Sequence, residues 1–504
     1  MTSMHQGRQG PLQNIASRLD DLTWSRWHTR VVLALGVAWM LDGLEVTLVG
    51  SFGSVLERPE TLALSASEVG WAGSLYVGGA VLGALIFGRM ADTLGRKRLF
   101  LATLTLYMAA TLATGLSFDA WSFILCRFVT GLGIGGEYAA INSAIDELVP
   151  ARVRGRVSLA INGSFWIGAA LGAGLSLLLL NENWLAIAWS WRLGFIAGAV
   201  LALAMVLVRR HVPESPRWLA THGREDEALR IVADIEGAAR RTAAHPPGAD
   251  HPAGPPHSRP VPTVAAQRGK TGHSEAPALR EVMWILLRVY RRRSLVALAM
   301  MVSQAFFYNA IFFTYAMVLT RFYNVPDTRV GLYIFPFALG NVLGPLMLGP
   351  LFDRVGRRKM IAATYVLAGL GLAFTGWAFL HGWLTARGLA LCWSAVFFLA
   401  SAAASSAYLT VSEVFPLEMR AVAISLFYAV GTGAGGFAGP ALFGVLIQHG
   451  NAEAVAAGYL FAALLVIAAG VAALFYAVDA ERRPLEDIAP PLAAMRASGC
   501  SHKE

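Results

Sequence analysis

Charge is scarce in this sequence. Asp, Glu, Lys and Arg supply 14% of its 504 residues, where a soluble domain carries about 25%. Apolar runs of about 20 residues recur from end to end instead, each long enough to cross a hydrocarbon core of roughly 30 Å. Cysteine is nearly missing as well. Cys126, Cys392 and Cys500 are far apart and fit neither a disulfide framework nor a metal-ligand set. No G-x-x-x-x-G-K-S/T loop occurs, which argues against a pump driven by a nucleotide. No nucleophile–base pair or metal cluster lies within the apolar runs, so no enzyme activity is expected. The N-terminus "MTSMHQGRQGPLQNIASRLDDLTWSRWHTR" lacks a signal-peptide core, and the first apolar run is expected to act as its own insertion signal.

What is present is hydrophobic: 56% of residues, with a mean hydropathy of +0.53. The pattern predicts an all-α membrane protein of twelve transmembrane helices, at 30–54, 68–91, 98–116, 119–145, 156–180, 188–208, 294–320, 329–352, 359–380, 386–412, 420–447 and 453–478. On this map 35 of the 41 Lys and Arg residues fall on the side of the N-terminus. Arg58, Arg321, Arg329 and Arg387 fall opposite, and Arg127 and Arg192 lie within spans. Basic residues collect in cytoplasmic loops, so both termini are expected in the cytoplasm, with the chain in the cell inner (plasma) membrane. The net charge of +9 reflects this bias and calls for no nucleic-acid partner. The lipid bilayer and a small-molecule substrate are the expected partners, and a monomer the expected state.

The chain divides into an N-terminal tail (1–29), a six-helix half (30–208), a linker (209–293), a second six-helix half (294–478) and a C-terminal tail (479–504). Within the linker, "AAHPPGADHPAGPPHSRPVPTVAAQRGKTGHS" is rich in Pro, Gly and His, a composition of flexible connectors. Its histidines match no metal-ligand spacing. "GREDEALRIVADIEGAARR" just before it separates charged from apolar residues, as a surface helix does.

The halves repeat. "GRMADTLGRKR" from Gly88 returns as "GPLFDRVGRRK" from Gly349, and "DELVPARVRG" from Asp146 returns as "SEVFPLEMRA" from Ser412. Internal repeats of this kind mark secondary transporters, whose substrate site lies near the midplane between them. Gly88, Gly95, Gly349 and Gly356 suit tight turns and close helix approach. Asp92, Arg96, Glu147 and Arg154 in one half, and Asp353, Arg357, Glu413 and Arg420 in the other, offer ion pairs at helix ends. Pairs that form in one state and break in another would act as a conformational latch; the plainer alternative is static surface pairing.

These residues carry a family resemblance. The G-x-x-x-D-x-x-G-R-K/R loop between spans two and three resembles the signature of the major facilitator superfamily. "CRFVTGLGIGGEY" in span four and "PESPRWL" after span six resemble its sugar-porter, organic-ion and metabolite–proton symporter branches. "DGLE" at Asp42 to Glu45 is similar to the Asp-Gly-x-Asp of aromatic-acid–proton symporters, with Glu in place of the second Asp. The resemblance implies two pseudo-symmetric six-helix bundles that alternate access to a central site.

Asp42 and Glu45 are the anomaly. A carboxylate at the bilayer centre costs about 2.5–3.5 kcal/mol on insertion scales. The two acids are three residues apart and share a helix face. Asp42 stands 12 residues past Arg30, about 18 Å into the membrane, and Arg127 on span four reaches the same depth from the other side. Arg127 is therefore expected to offset the burial of one of the two acids, leaving a surplus carboxylate to carry a proton. An anionic substrate would compete for Arg127. The plainer alternative is a permanent salt bridge joining spans one and four. Glu137 is placed near the cytoplasmic boundary, either as part of an inner gate or simply solvated, and Arg192 within a turn of the outer boundary, to which its side chain is expected to snorkel. Gln304, Tyr308 and Asn309 on span seven are candidate substrate contacts, as are Asn162, Trp166, Asn341, Tyr428 and Thr432. The glycines of "GTGAGGFAGP" in span eleven suit close packing and bending.

The function expected from these residues is uptake of a small organic anion, such as an aromatic or other carboxylic acid, by symport with protons. The proton is the coupling ion, and no cofactor is implied. Sugar or polyol uptake is the second reading, favoured by "PESPRWL" and Gln304. Drug efflux comes third, because span five, "NGSFWIGAALGAGLSL", lacks the Gly-Pro pair of the family's antiporter element. A non-transporting sensor would need a signalling domain that the Pro/His-rich linker does not resemble.

Overall fold

Apolar helices that must satisfy every backbone group internally are the natural solution for such a chain in lipid. The computed structural model describes residues 18, 24–149, 151–181, 183, 185–209, 214–221, 223–244 and 279–478, and their regular structure is helical throughout. The first half holds α1 (Arg26–Leu56), α2 (Ala66–Leu94), α3 (Arg96–Gly115), α4 (Ala120–Leu148), α5 (Ala151–Leu179) and α6 (Ile187–Arg209). Then come α7 (Pro216–Thr221), α8 (Glu225–Ala244) and α9 (Leu279–Trp284). The second half holds α10 (Arg291–Tyr323), α11 (Asp327–Val330) leading into α12 (Ile334–Arg354), α13 (Arg357–Leu380) and α14 (Ala386–Val414). It ends with α15 (Leu417–Gly431) running through a π turn into α16 (Phe437–Gln448), and α17 (Ala452–Tyr476).

With α11–α12 and α15–α16 each taken as one crossing, twelve spans form two six-helix bundles. Several helices overrun the expected bounds at the end bearing the basic loops: α1 begins at Arg26, α4 runs to Leu148 and α5 begins at Ala151. Lipid excludes charge from the span, but the helix itself continues into water. The Pro/His-rich part of the linker, most of the N-terminal tail and the C-terminal tail from 479 lie outside the described residues.

Small residues let backbones touch where lipid tails provide no hydrophobic drive between helices. On α1, a Cβ at Gly43 would stand 2.0 Å from the carbonyl oxygen of Phe165 on α5. On α4, one at Gly131 would stand 2.0 Å from the carbonyl oxygen of Tyr76 on α2. The result is that α1 packs on α5 while α4 packs on α2, and α1 reaches α4 through long side chains. In the second half, Gly435 of the π turn lies as close to Val302 of α10, the close packing expected of that glycine run.

Turns at the basic end depend on two glycines. Gly95 (φ +88°) and Gly356 (φ +107°) occupy backbone conformations that L side chains rarely adopt and precede α3 and α13. Gly349 has open space where a Cβ would stand, so the expected close approach is not found there. Glu214, of "PESPRWL", accepts from the Lys97 backbone N–H at 3.2 Å with both carboxylate oxygens, satisfying an orphan donor at the positive end of α3. Helix α8 is amphipathic as expected. It buries Ala228, Val232 and Ile235 against Trp218 and Leu219 and places three acids in its first turn.

The bundles meet at the end opposite the basic loops. Arg58, just past α1, donates to Asp327 of α11 from Nε at 2.9 Å and Nη2 at 2.5 Å, and Ser54 donates to the other Asp327 oxygen at 2.5 Å. Ser51 and Tyr315 share a hydrogen bond of 2.7 Å between α1 and α10, and the Ser67 amide donates to Gln448 across α2 and α16 at 3.2 Å. Deeper in, the Ser74 hydroxyl donates to the Phe437 carbonyl at 2.6 Å.

Candidate functional site

Below that closure the two halves line a cavity of about 830 Å³, within the range of small-molecule sites. One wall comes from α1, α2, α4 and α5, the other from α10, α12, α14 and α15–α16. Asp42, Asn162, Trp166, Gln304, Tyr308, Asn309, Asn341, Tyr428 and Thr432, all named above from their position in the sequence, line it together. Sequence reasoning missed Tyr76, Tyr138, Phe165, Phe312 and Phe313, which also line it. An aromatic residue inside an apolar span gives no signal of which way it faces.

Asp42 is 1% exposed. The Tyr76 hydroxyl donates to its Oδ1 at 2.5 Å, and the Tyr138 hydroxyl donates to its Oδ2. Trp39, one turn back on α1, stacks on the Tyr138 ring with centroids 4.3 Å apart. The opposite wall is a set of fixed amides. Gln304 donates from its side-chain nitrogen to the Ala400 carbonyl at 3.0 Å, and Asn309 to the Ala305 carbonyl at 2.8 Å. Tyr308 donates to Asn341 Oδ1 at 2.7 Å, and Asn341 donates in turn to the Phe337 carbonyl at 2.9 Å. Because a backbone carbonyl can only accept, these contacts fix which way each amide points.

Arg127 and Asp42, expected at one depth, do not pair with each other. Arg127 pairs through Nη1 with Glu45 Oε1, and both side chains are 0% exposed. The reason is reach: depth along a helix axis locates a Cα, whereas an arginine head extends well beyond it. Arg127 therefore meets Glu45, one turn further along α1, and Asp42 is left to Tyr138 and Tyr76. The ring of Tyr76 lies over the Arg127 guanidinium, 4.3 Å from Cζ, and Tyr107 of α3 stands beside Glu45. Neither Arg127 nor Glu45 lines the cavity, and among the described lining residues there is no Lys, Arg or His and no acid other than Asp42. A direct contact between substrate and Arg127 is thus not present in this arrangement.

Glu137 is 1% exposed inside α4, so the solvated one of its two readings is not found, because that helix continues for three turns beyond it. Arg192 stands at the end opposite the basic loops, as expected, but rather than snorkelling it donates to the carbonyls of Gly115 and Ser117 at 2.9 and 2.7 Å, where it caps the negative end of α3. Of the repeated loops, Arg357 is half-buried. The side chains of Asp92, Arg96, Glu147, Arg154, Asp353, Glu413 and Arg420 lie outside the described residues. Gly88 lies on α2 as that helix leaves the core. Among the described residues no group of three or more His, Cys, Asp and Glu could hold a metal ion.

Comparison with known proteins agrees with this architecture. The model of the family described as "Sugar (and other) transporter" matches residues 49–490. The niacin transporter NiaP of Acinetobacter baylyi is 31% identical over 224 residues, which span 44% of this chain and 49% of that one. The 4-hydroxybenzoate transporter PcaK of the same organism is 24% identical over 443 residues, 86% of this chain and 88% of that one. Among solved structures, a D-xylose–proton symporter superposes with a TM-score of 0.66 over 90% of this chain and 99% of its own, at 17% identity. A duplicated six-helix architecture, a cavity at the join and a family match over most of the length lead to one conclusion: the chain belongs to the sugar (and other) transporter family, within the major facilitator superfamily.

Proposed function

We propose that this membrane carrier takes up a small aromatic acid by alternating access, with a proton moving on Asp42. The observation that carries the reading is the placement of Asp42: the one ionisable carboxylate on the described cavity wall, tethered by two tyrosines between the bundles. Intramembrane carboxylates that face a polar cavity are the usual elements of proton relays. Around it the wall is aromatic, with Tyr76, Tyr138, Phe165, Trp166, Phe312 and Phe313, faces that receive a flat ring by stacking. Relatives named for niacin and for 4-hydroxybenzoate favour the same class.

A second reading has its own support. Gln304, Asn309, Asn341 and Tyr308 form an uncharged hydrogen-bonding wall, the chemistry that recognises a sugar or polyol. Purified protein in proteoliposomes, supplied with an inward proton gradient, separates the two. The primary reading predicts gradient-dependent accumulation of a benzoate- or pyridine-carboxylate-type acid, with pentoses and hexoses left behind. Accumulation of a sugar with no response to aromatic acids would reverse the choice.

A further inference from the structure

The Glu45 contact leaves much of the Arg127 guanidinium unused. Nη1 donates to Glu45, whereas Nε and Nη2, fully buried, have no hydrogen-bond partner among the described residues. Those two nitrogens form an edge suited to hold a carboxylate in bidentate fashion. An N–H buried without a partner is destabilising, and more so on a charged group, so two reserved donors are unfavourable unless something uses them. Tyr76 touches both the guanidinium and the cavity. Its ring lies over Arg127, it lines the cavity, and its hydroxyl is tied to Asp42.

We propose that Arg127 is a masked anion subsite and that Tyr76 is its movable cover, latched by Asp42, so that a proton on Asp42 and a substrate carboxylate on Arg127 are linked through one side chain. The inference rests on the proposed function and names the part of the site that would read the substrate's charge. While Asp42 is ionised, the tyrosine hydroxyl makes a charge-assisted bond, about twice as strong as a neutral one, and the ring stays seated. Protonation of Asp42 removes that assistance. What then holds the ring is the cation–π contact with Arg127, which a bidentate carboxylate can displace.

The surroundings favour such a linkage. Asp42 faces Tyr76 from α2 and Tyr138 and Glu137 from α4, with Glu45 on its own helix, Tyr107 of α3 beyond Glu45, and Tyr428 of α15 beside Tyr138. Among these described neighbours Arg127 supplies the positive charge, so no other cation competes for the incoming anion. The Tyr76 ring also meets Phe313 of α10, with centroids 6.1 Å apart, so its movement would be felt by the second bundle.

The test is equilibrium binding of benzoate and of its neutral counterpart benzamide to the purified full-length protein in nanodiscs, in acid and in alkali. The wild type is expected to bind benzoate more tightly in acid. Tyr76→Phe keeps the ring and removes the latch; benzoate affinity in alkali should rise by about tenfold, a factor that one lost hydrogen bond supplies, and its pH dependence should flatten. Benzamide should not change, and adding Arg127→Met should erase the benzoate gain. Tyr138→Phe removes the other hydroxyl from Asp42 but leaves the cover latched, so benzoate should still bind more tightly in acid than in alkali, even if the midpoint of that change moves to another pH. Equal shifts for benzoate and benzamide in Tyr76→Phe, no shift in either, or the same flattening in Tyr138→Phe would overturn the proposal. If the wild type binds neither ligand, the aromatic-acid reading fails on its own. A benzoate-selective gain in Tyr76→Phe would then still uphold the masked subsite, and its absence would refute it.

Discussion

Glu45 and Asp42 stand one helical turn apart on α1 and meet opposite fates. Glu45 is sealed against Arg127 away from the cavity, while Asp42 sits on its wall between two tyrosine hydroxyls. Removing one member of a buried pair leaves an uncompensated charge, at a cost of about 3–5 kcal/mol, whereas replacing both with neutral groups of similar size is often close to neutral. Glu45→Gln should therefore lower the thermal midpoint of the purified protein markedly, and Glu45→Gln combined with Arg127→Met should recover most of the loss. Additive losses in a thermal-shift comparison of the singles and the double would show that the two side chains do not act as a pair. The sequence showed that three intramembrane charges must be reconciled, because lipid tolerates so few. Which acid receives the arginine was not legible, since it depends on side-chain reach and on which helices touch. Tyr76 and Tyr138 were invisible for the same reason.

At the scale of elements, reading was easier. Hydrocarbon thickness sets span length, so every expected helix overlaps an observed one, and the main error is underestimation where a helix continues past its last apolar turn into water. Connections between elements were harder. Glu214 belongs to a motif recognised above, but its place at the start of α3 follows from the chain folding back after α6, which no local pattern encodes. Arg192 was read as reaching for the membrane boundary and instead caps the same helix at its other end. The glycines of α1 and α4 are visible as small residues; their partners on α5 and α2 emerge only once the bundle is assembled. Helix α3 thus has one end held by Glu214 of the linker and the other by Arg192 of α6, a fixed member against which α4 and the buried pair are set.

At the scale of the whole molecule, the duplicated motifs announced two bundles and a site between them. What they did not announce is the closure at the other end, where Arg58, Ser54 and Asp327 join α1 to α11. That contact is not part of either repeated motif, so internal symmetry gave no pointer to it. A carrier that alternates must break it once per cycle. With Cys126, Cys392 and Cys500 replaced and Val77 on the cavity wall changed to Cys, an impermeant maleimide should reach the new thiol from the basic face. Adding Asp327→Ala should increase its reaction from the opposite face several-fold; unchanged labelling would mean that this cluster does not hold the closed state.

Asp42 is the group proposed to tie substrate movement to proton movement. Asp42→Asn keeps the shape of the side chain and its contact with at least one tyrosine, and removes the titration. In proteoliposomes loaded with a transported acid, the variant is expected to lose uptake against a concentration gradient while still exchanging labelled for unlabelled substrate at a substantial fraction of the wild-type rate. Undiminished accumulation by Asp42→Asn under the same proton gradient would contradict the account, because the proton would then travel by another route.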